Sequence, residues 1–337
     1  MRADESMSVR PMDSRLRGND EFWVIHLAIL CLTLFFAFPA WAAEPMRVGL
    51  LAYGTVQWEI ETMRAEHRDS AHGITVEPVE LAGKDGASVA LLAGSVDAIV
   101  GDWLFVSRQR AMGRDLVFVP WSSMTGSVLV PAASPLKSLA DLAGKQLGVA
   151  GGPQDKSWLL LRALGLRRHG MDLEKAAVPV YGAPPLLSQQ MEAGRLDALL
   201  TFWPQAVPLE AKGYRRLVEV GGIAAELGIA HAPPLVGWIM HRSWAESHRA
   251  EVEAFRAAER ETRAGMCAPG FDWRGLDRLT RAADDTIRAG LAAGFCAAVP
   301  ADAGDSGDAE KIYALLAQLG GEELTGPSPR LQPGIFW

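Results

Sequence analysis

The chain has 337 residues, 49% of them hydrophobic and 22% charged, with 33 Lys and Arg against 40 Asp and Glu for a net charge of −7. That length accommodates two medium domains with large cores. The acidic balance and the lack of a basic patch exclude nucleic acid as an expected partner.

The N-terminus carries an apolar run from Phe22 to Phe38, preceded by Arg10, Arg15 and Arg17 and followed by Ala40-Trp41-Ala42. This is the pattern of a secretory signal peptide with an Ala-x-Ala cleavage site, so residues 1–42 are expected to be removed near Ala42 and the mature chain to be periplasmic. Residues 1 to about 20 are polar and precede an already sufficient signal; they read as an over-extended gene start, with Met7 or Met12 as alternatives. Cys31 follows Leu30, where a lipoprotein signal wants a small residue, which favours a soluble product. Cleavage removes four basic and five acidic residues and leaves 29 against 35. The two cysteines that remain, Cys267 and Cys296, then lie in a compartment that permits disulfides, and an even pair there is expected to be bridged.

In chain order, Met46 to Ala52 reads as a strand, Tyr53-Gly54-Thr55 as a turn and Val56 to Glu66 as a helix. Ile74–Leu81, Asp97–Val100 and Leu116–Pro120 read as further strands, with helix over Ser88–Ala93. Val128–Pro131 follows, and Pro131 and Pro135 mark the expected crossing into a second lobe. The cycle then restarts: strand at Gln146–Ala150, helix at Ser157–Arg168, strand at Ala177–Tyr181, helix at Pro185–Ala193. Pro233-Pro234 precedes a return strand, Leu235–Met240. From Trp244 the pattern is helical, with Arg249–Arg263 and Leu276–Leu291 as long amphipathic stretches. Alternating strands and helices imply an α/β fold with mostly parallel sheets. Two crossings place 43–130 plus 236–337 in a discontinuous first lobe and 131–235 in the second.

Two stretches one hundred residues apart support that duplication: Ala93-Gly94-Ser95-Val96-Asp97-Ala98 running on to Trp103, and Ala193-Gly194-Arg195-Leu196-Asp197-Ala198 running on to Trp203. Each reads as a helix end, a glycine in the left-handed cap, a short strand, and a tryptophan just beyond the strand's carboxyl end. Ligands of open α/β sheets sit outside those ends, so Trp103 and Trp203 are expected as aromatic walls of a cleft, with Trp58 near them. Gly151, Gly152 and Asp155 lie between a strand and a helix, where glycines admit close backbone approach and a helix start attracts polar or negative atoms. Asp155 otherwise simply caps that helix. Tyr53, Gly54 and Thr55 hold the matching place in the first lobe. Asp102 either meets a cationic group of a ligand or pairs internally with Arg108 or Arg110. No P-loop, dinucleotide fingerprint, zinc spacing or Gly-x-Ser-x-Gly occurs, so no cofactor, metal or catalytic residue is expected.

The export signal, the strand Arg47-Val48-Gly49-Leu50-Leu51, both Ala-Gly-x-x-Asp-Ala units, and Ser138-Leu139-Ala140-Asp141-Leu142-Ala143-Gly144-Lys145 together resemble the periplasmic solute-binding proteins of ABC importers. The resemblance is to the branch handling nitrate, sulfonates, taurine and thiamine-pyrimidine precursors, the NMT1/THI5-like proteins. It implies the type II periplasmic-binding fold: two lobes that close around one small solute, as a monomer, and present it to a membrane permease without catalysis. The carboxylate of Asp102 between aromatic walls suits a planar nitrogenous or zwitterionic solute, whereas the Gly151-Gly152 helix start suits a sulfonate or nitrate anion. A periplasmic accessory factor for an oxidoreductase on the same fold is the competing role. An enzyme of pyrimidine synthesis would need a cysteine-rich signature that has no counterpart here.

Overall fold

The computed structural model describes residues 44–52, 54–123, 125–230, 232–298 and 306–337, so the expected signal peptide and Tyr53 lie outside the described residues. Ten strands form two five-stranded sheets of matching wiring. The first, in the order β2-β1-β3-β10-β4, is built from β1 Met46–Leu51, β2 Val76–Leu81, β3 Ala98–Gly101, β4 Leu116–Ser122 and β10 Val236–His241. The second, β7-β6-β8-β5-β9, is built from β5 Gly126–Val130, β6 Gln146–Ala150, β7 Val178–Gly182, β8 Ala198–Phe202 and β9 Arg215–Glu219. In each sheet one strand, β10 or β5, runs against the other four.

The repeated sequence unit explains this equivalence. Gly94 (φ 70°) and Gly194 (φ 68°) both take the left-handed conformation that ends the preceding helix. The aspartates that follow tie the unit to the start of the neighbouring strand, β1 or β6. Asp97 accepts the backbone N–H of Arg47 at 2.7 Å, and Asp197 accepts that of Gln146 at 2.8 Å. Each carboxylate thereby satisfies a donor at the strand entrance.

The longer helices are α1 Val56–Ala65, α2 Lys84–Leu92, α3 Trp103–Ala111, α4 Lys156–His169, α5 Pro184–Glu192, α6 Trp203–Ala211, α7 Arg249–Met266, α8 Asp285–Ala297 and α9 Ser306–Thr325. The sequence pattern omitted α3 and α6, which begin at the very tryptophans it singled out, and the edge strand β9. The expected long stretch Leu276–Leu291 is interrupted: Arg281 adopts a left-handed conformation (φ 55°), and Asp284 caps a new helix by accepting the N–H of Ile287 at 2.8 Å.

β5, placed before the crossing by the sequence pattern, pairs with β8 and β9 in the second sheet, so the chain crosses between Ser122 and Gly126. Pro131 and Pro135 follow the crossing. Gly126 makes this pairing possible, because a Cβ there would lie 2.0 Å from the carbonyl oxygen of Thr201. The C-terminal helices also differ from a simple return to the first lobe: α8 packs on α6, and α9 packs on both α3 and α4. Beyond them, Phe336 bridges to Phe118, and the N–H of Trp337 bonds the carbonyl of Phe118 at 3.0 Å, which covers the exposed edge of β4.

Cys267, at the end of α7, is joined to Cys296 in α8. Closing this loop of about thirty residues restricts the unfolded chain, and the chain-entropy account gives about 3 to 4 kcal/mol. The Cys267→Ala, Cys296→Ala double variant is expected to lose that much unfolding free energy in urea titrations. An unchanged midpoint would show that the bridge contributes nothing to equilibrium stability.

Candidate functional site

The carboxyl ends of β1, β3 and β4 in the first sheet and of β6 and β8 in the second face a cavity of about 470 Å³. Leu51, Gly101 and Ser122 bring the first sheet to it, and Gly151 and Phe202 the second. Five helices begin at its walls: α1 at Val56, α2 at Lys84, α3 after Asp102, α4 after Asp155, and α6 at Trp203. Their first-turn N–H groups give the cavity a positive partial charge.

Two aspartates temper it in the same way. The Oδ1 of Asp102 accepts the N–H of Phe105, and the Oδ1 of Asp155 that of Ser157, both at 2.9 Å. Each is thus an N-cap that uses one oxygen on its own helix. The other oxygen faces a lysine of the opposite lobe: Lys156 Nζ lies 3.7 Å from Asp102 Oδ2, and Lys84 Nζ 3.4 Å from Asp155 Oδ2. Gly151 (φ 90°) has to be glycine for this arrangement, since a Cβ would fall 2.5 Å from Asp155 Oδ2. With Asp85 and Arg108, the wall carries three acidic and three basic side chains. Thr125 Oγ1, Gln154 Oε1, Ser157 Oγ and Arg108 Nε belong to lining residues and are buried without hydrogen-bond partners among the described residues.

Gly54, Thr55, Asp102, Gly151, Asp155 and Trp203 of the sequence-derived set line the cavity, whereas Trp58, Trp103 and Gly152 do not. Trp103 is a core residue. It is fully buried, with its ring centroid 6.4 Å from Tyr313 and 6.2 Å from Phe336. The apolar C-terminal segment supplies these neighbours, and pattern reading around residue 103 had no access to them. Trp58 lies behind the cleft and meets Trp203 edge to face at 6.0 Å, so it supports the one tryptophan of the pair that does reach the cavity. Asp102 finds its cation in Lys156 rather than in Arg108 or Arg110.

Sequence reasoning left out Lys84, Lys156, Arg108, Trp121, Gln154 and Phe202, all of which line the cavity. Lys84 and Lys156 lack any motif; their only mark is the first position of a helix. Trp121, at the end of β4, rests on a buried network. Its indole N–H bonds Glu59 Oε2 at 3.0 Å, and Arg263 bonds the same oxygen at 2.8 Å while stacking on the Trp121 ring at 4.8 Å. Arg263 also donates to the carbonyls of Trp121 and Ala298, both at 3.1 Å. Glu259, one turn before Arg263, accepts the N–H of Trp238 at 2.6 Å. Burial, with the Glu59 charge nearby, pushes the Glu259 carboxyl up to about 8. Among the described residues no cluster of His, Cys, Asp or Glu is suited to hold a metal ion, and no helix is long and apolar enough to cross a membrane.

Comparison with known proteins places this arrangement. The family model described as NMT1/THI5 like matches residues 70–267. Among solved structures, the alkanesulfonate-binding protein SsuA of Xanthomonas axonopodis pv. citri bound to MOPS superposes with a TM-score of 0.67 at 20% identity, covering 88% of this chain and 99% of that one. The periplasmic aliphatic sulphonate-binding protein SsuA of Escherichia coli gives 0.62 at 20% identity, covering 87% and 92%. The periplasmic nitrate-binding protein NrtA of Synechocystis gives 0.52 at 13% identity, covering 71% and 66%. A sequence search of curated proteins found no significant match.

Proposed function

The chain belongs to the NMT1/THI5-like family, and on that premise we propose that it is an exported solute-binding protein that takes one small polar molecule between its lobes and hands it to an ABC permease. The observation that carries this reading is the 470 Å³ cavity at the carboxyl edges of two equivalent sheets, with charged side chains and unpartnered polar atoms supplied from both. Its role is binding without a chemical step. Export with signal removal near Ala42 is read from the N-terminal pattern, and the periplasmic location named for a structural neighbour supports export.

The balance of Lys84, Lys156 and Arg108 against Asp85, Asp102 and Asp155 favours a solute that is itself neutral overall and dipolar, a zwitterion. Its anionic end would draw on Lys156 and the helix starts, and its cationic end on the carboxylate oxygens that now face lysines. Phe105, Trp121, Phe202 and Trp203 give it apolar flanks. A simple anion is the second reading. It is favoured by the start of α1, where the Thr55 side chain caps no N–H, and by the sulfonate- and nitrate-binding neighbours.

Matched compounds on one skeleton separate the two: 2-aminoethanesulfonate, ethanesulfonate and ethylamine in thermal-shift and calorimetric titrations. For a zwitterion, Lys156→Met and Asp102→Asn should each cost about 1.5 to 3 kcal/mol of binding free energy, the worth of a charge-assisted hydrogen bond. For an anion only the lysine change should weaken binding. If both variants keep full affinity for every solute found, the site lies elsewhere.

A further inference from the structure

The side chains around the cleft are sorted by charge, and strand alternation does the sorting. Successive residues of a strand point to opposite faces of its sheet. Ile99, Phe118 and Ile239 of the first sheet and Val128, Val149 and Leu200 of the second share one hydrophobic cluster with α2, α3 and α4. The opposite faces carry Val117, Val119 and Trp121 against α1 in one lobe, and Leu129 and Leu199 against α6 in the other. The cleft therefore has two sides, each contributed by both lobes. Hinge motion changes the width between the lobes without exchanging these sides.

Among the described residues, the six charged members of the wall all lie on the first side. Lys84 and Asp85 open α2, Asp102 and Arg108 belong to the cap and second turn of α3, and Asp155 and Lys156 to the cap and first residue of α4. The second side is uncharged: Val56, Trp121, Val236 and Trp203 line it, with Thr55 and Gln205 as polar groups. The indole N–H of Trp121 is bonded to Glu59, so this residue offers the cavity ring surface and no donor. Helix-start donors are reduced here as well. In α1 the N–H groups of Gln57 and Trp58 are bonded within the turn, at 3.2 and 3.1 Å; in α6 that of Trp203 donates to the Thr125 carbonyl at 3.1 Å, and Pro204 has none. A charged group placed on this side would give up water without gaining a partner, whereas an apolar ring would gain burial and an aromatic contact. The cavity, at about 470 Å³, lies in the range that encloses drug-sized molecules, more than a bare dipolar head fills.

We propose that the solute is a zwitterion carrying a flat apolar ring, with its dipolar end on the α2–α3–α4 side of the cleft and the ring on the α1–α6 side, where Trp121 and Val236 set the preference for it. This rests on the reading of the cleft as a zwitterion site and adds to it the body of the molecule and its orientation.

Calorimetric titrations with four probes test it: 2-aminoethanesulfonate and glycine as bare dipolar heads, and N-benzyl-2-aminoethanesulfonate and phenylalanine as the same heads bearing a ring. For at least one head, the ring-bearing probe is expected to bind about tenfold tighter or more, from the apolar area it buries. Trp121→Leu should remove most of that ratio. The near-isosteric Val236→Thr should reduce it severalfold, and it serves if Trp121→Leu fails to fold. Lys156→Met, on the charged side, should weaken bare and ring-bearing probes alike and leave the ratio unchanged. A ratio near one in the parent chain, or a ratio that neither apolar-side variant changes, would overturn the placement of the ring while leaving the zwitterion reading intact. If none of the four probes binds, the zwitterion reading falls and this inference with it.

Discussion

Arg263→Met should lower the unfolding free energy by about 3 to 5 kcal/mol, the usual penalty for leaving one member of a buried ion pair without its partner. Glu59 is only 1% exposed and Arg263 only 7%. The substitution strands the Glu59 carboxylate and frees the carbonyls of Trp121 and Ala298 that the guanidinium now satisfies. Glu59→Leu combined with Arg263→Met should recover a large part of the loss, because it removes the buried charge instead of isolating it. Urea titrations of both singles and the double complete the cycle. A single-variant loss below about 1 kcal/mol would mean that water or neighbouring groups reach the carboxylate. Since Trp121 lines the cavity and hangs from Glu59, folded variants are also expected to bind solute more weakly.

The second large effect is a pH dependence set by Glu259. Its carboxyl is raised to about 8, first by burial and then by the charge of Glu59, against the opposing pull of the Trp238 N–H and of Arg263 and Arg256. A group whose folded value lies above its unfolded value holds its proton more tightly when folded, so its stabilisation is complete below the unfolded value, near 4.5, and is lost as pH rises through about 8. Unfolding free energy should therefore fall by a few kcal/mol between about pH 5 and 8 and level off above. Glu259→Gln, which keeps an acceptor for Trp238, should flatten that slope. A variant with the parent's slope would assign the titration to another group.

The lobed architecture was legible because it rests on local signals. Helix, left-handed glycine, strand and aspartate recur at residues 93–98 and 193–198, and each element forms as its own pattern dictates. The edge strand β9 was not legible, since Arg215-Arg216-Leu217-Val218-Glu219 lacks strict alternation and gains its place only by pairing with β5. For the site, backbone requirements were readable and side-chain partners were not. Gly151 and Asp155 were visible as a strand-to-helix turn. The crossed pairing of Asp102 with Lys156 and Asp155 with Lys84 depends on how two lobes face each other, at sequence separations of 54 and 71 residues. Trp103 and Trp203 occupy equivalent positions in the repeat, yet one is a core residue and the other a wall, because helices beyond residue 280 cover the two lobes differently.

The edge contact made by residues 335–337 bears on how the polypeptide acquires its shape. The second sheet is complete once residues 126–219 exist, so that half has all it needs while synthesis is still under way. The first sheet begins at Met46, waits for β10, and has its outer strand covered only when Ile335, Phe336 and Trp337 arrive. Contacts such as that of Phe118 with Trp337, more than two hundred positions apart, are slow to form. The first sheet is therefore expected to complete its packing after the second, because its closing contacts join the more distant parts of the chain.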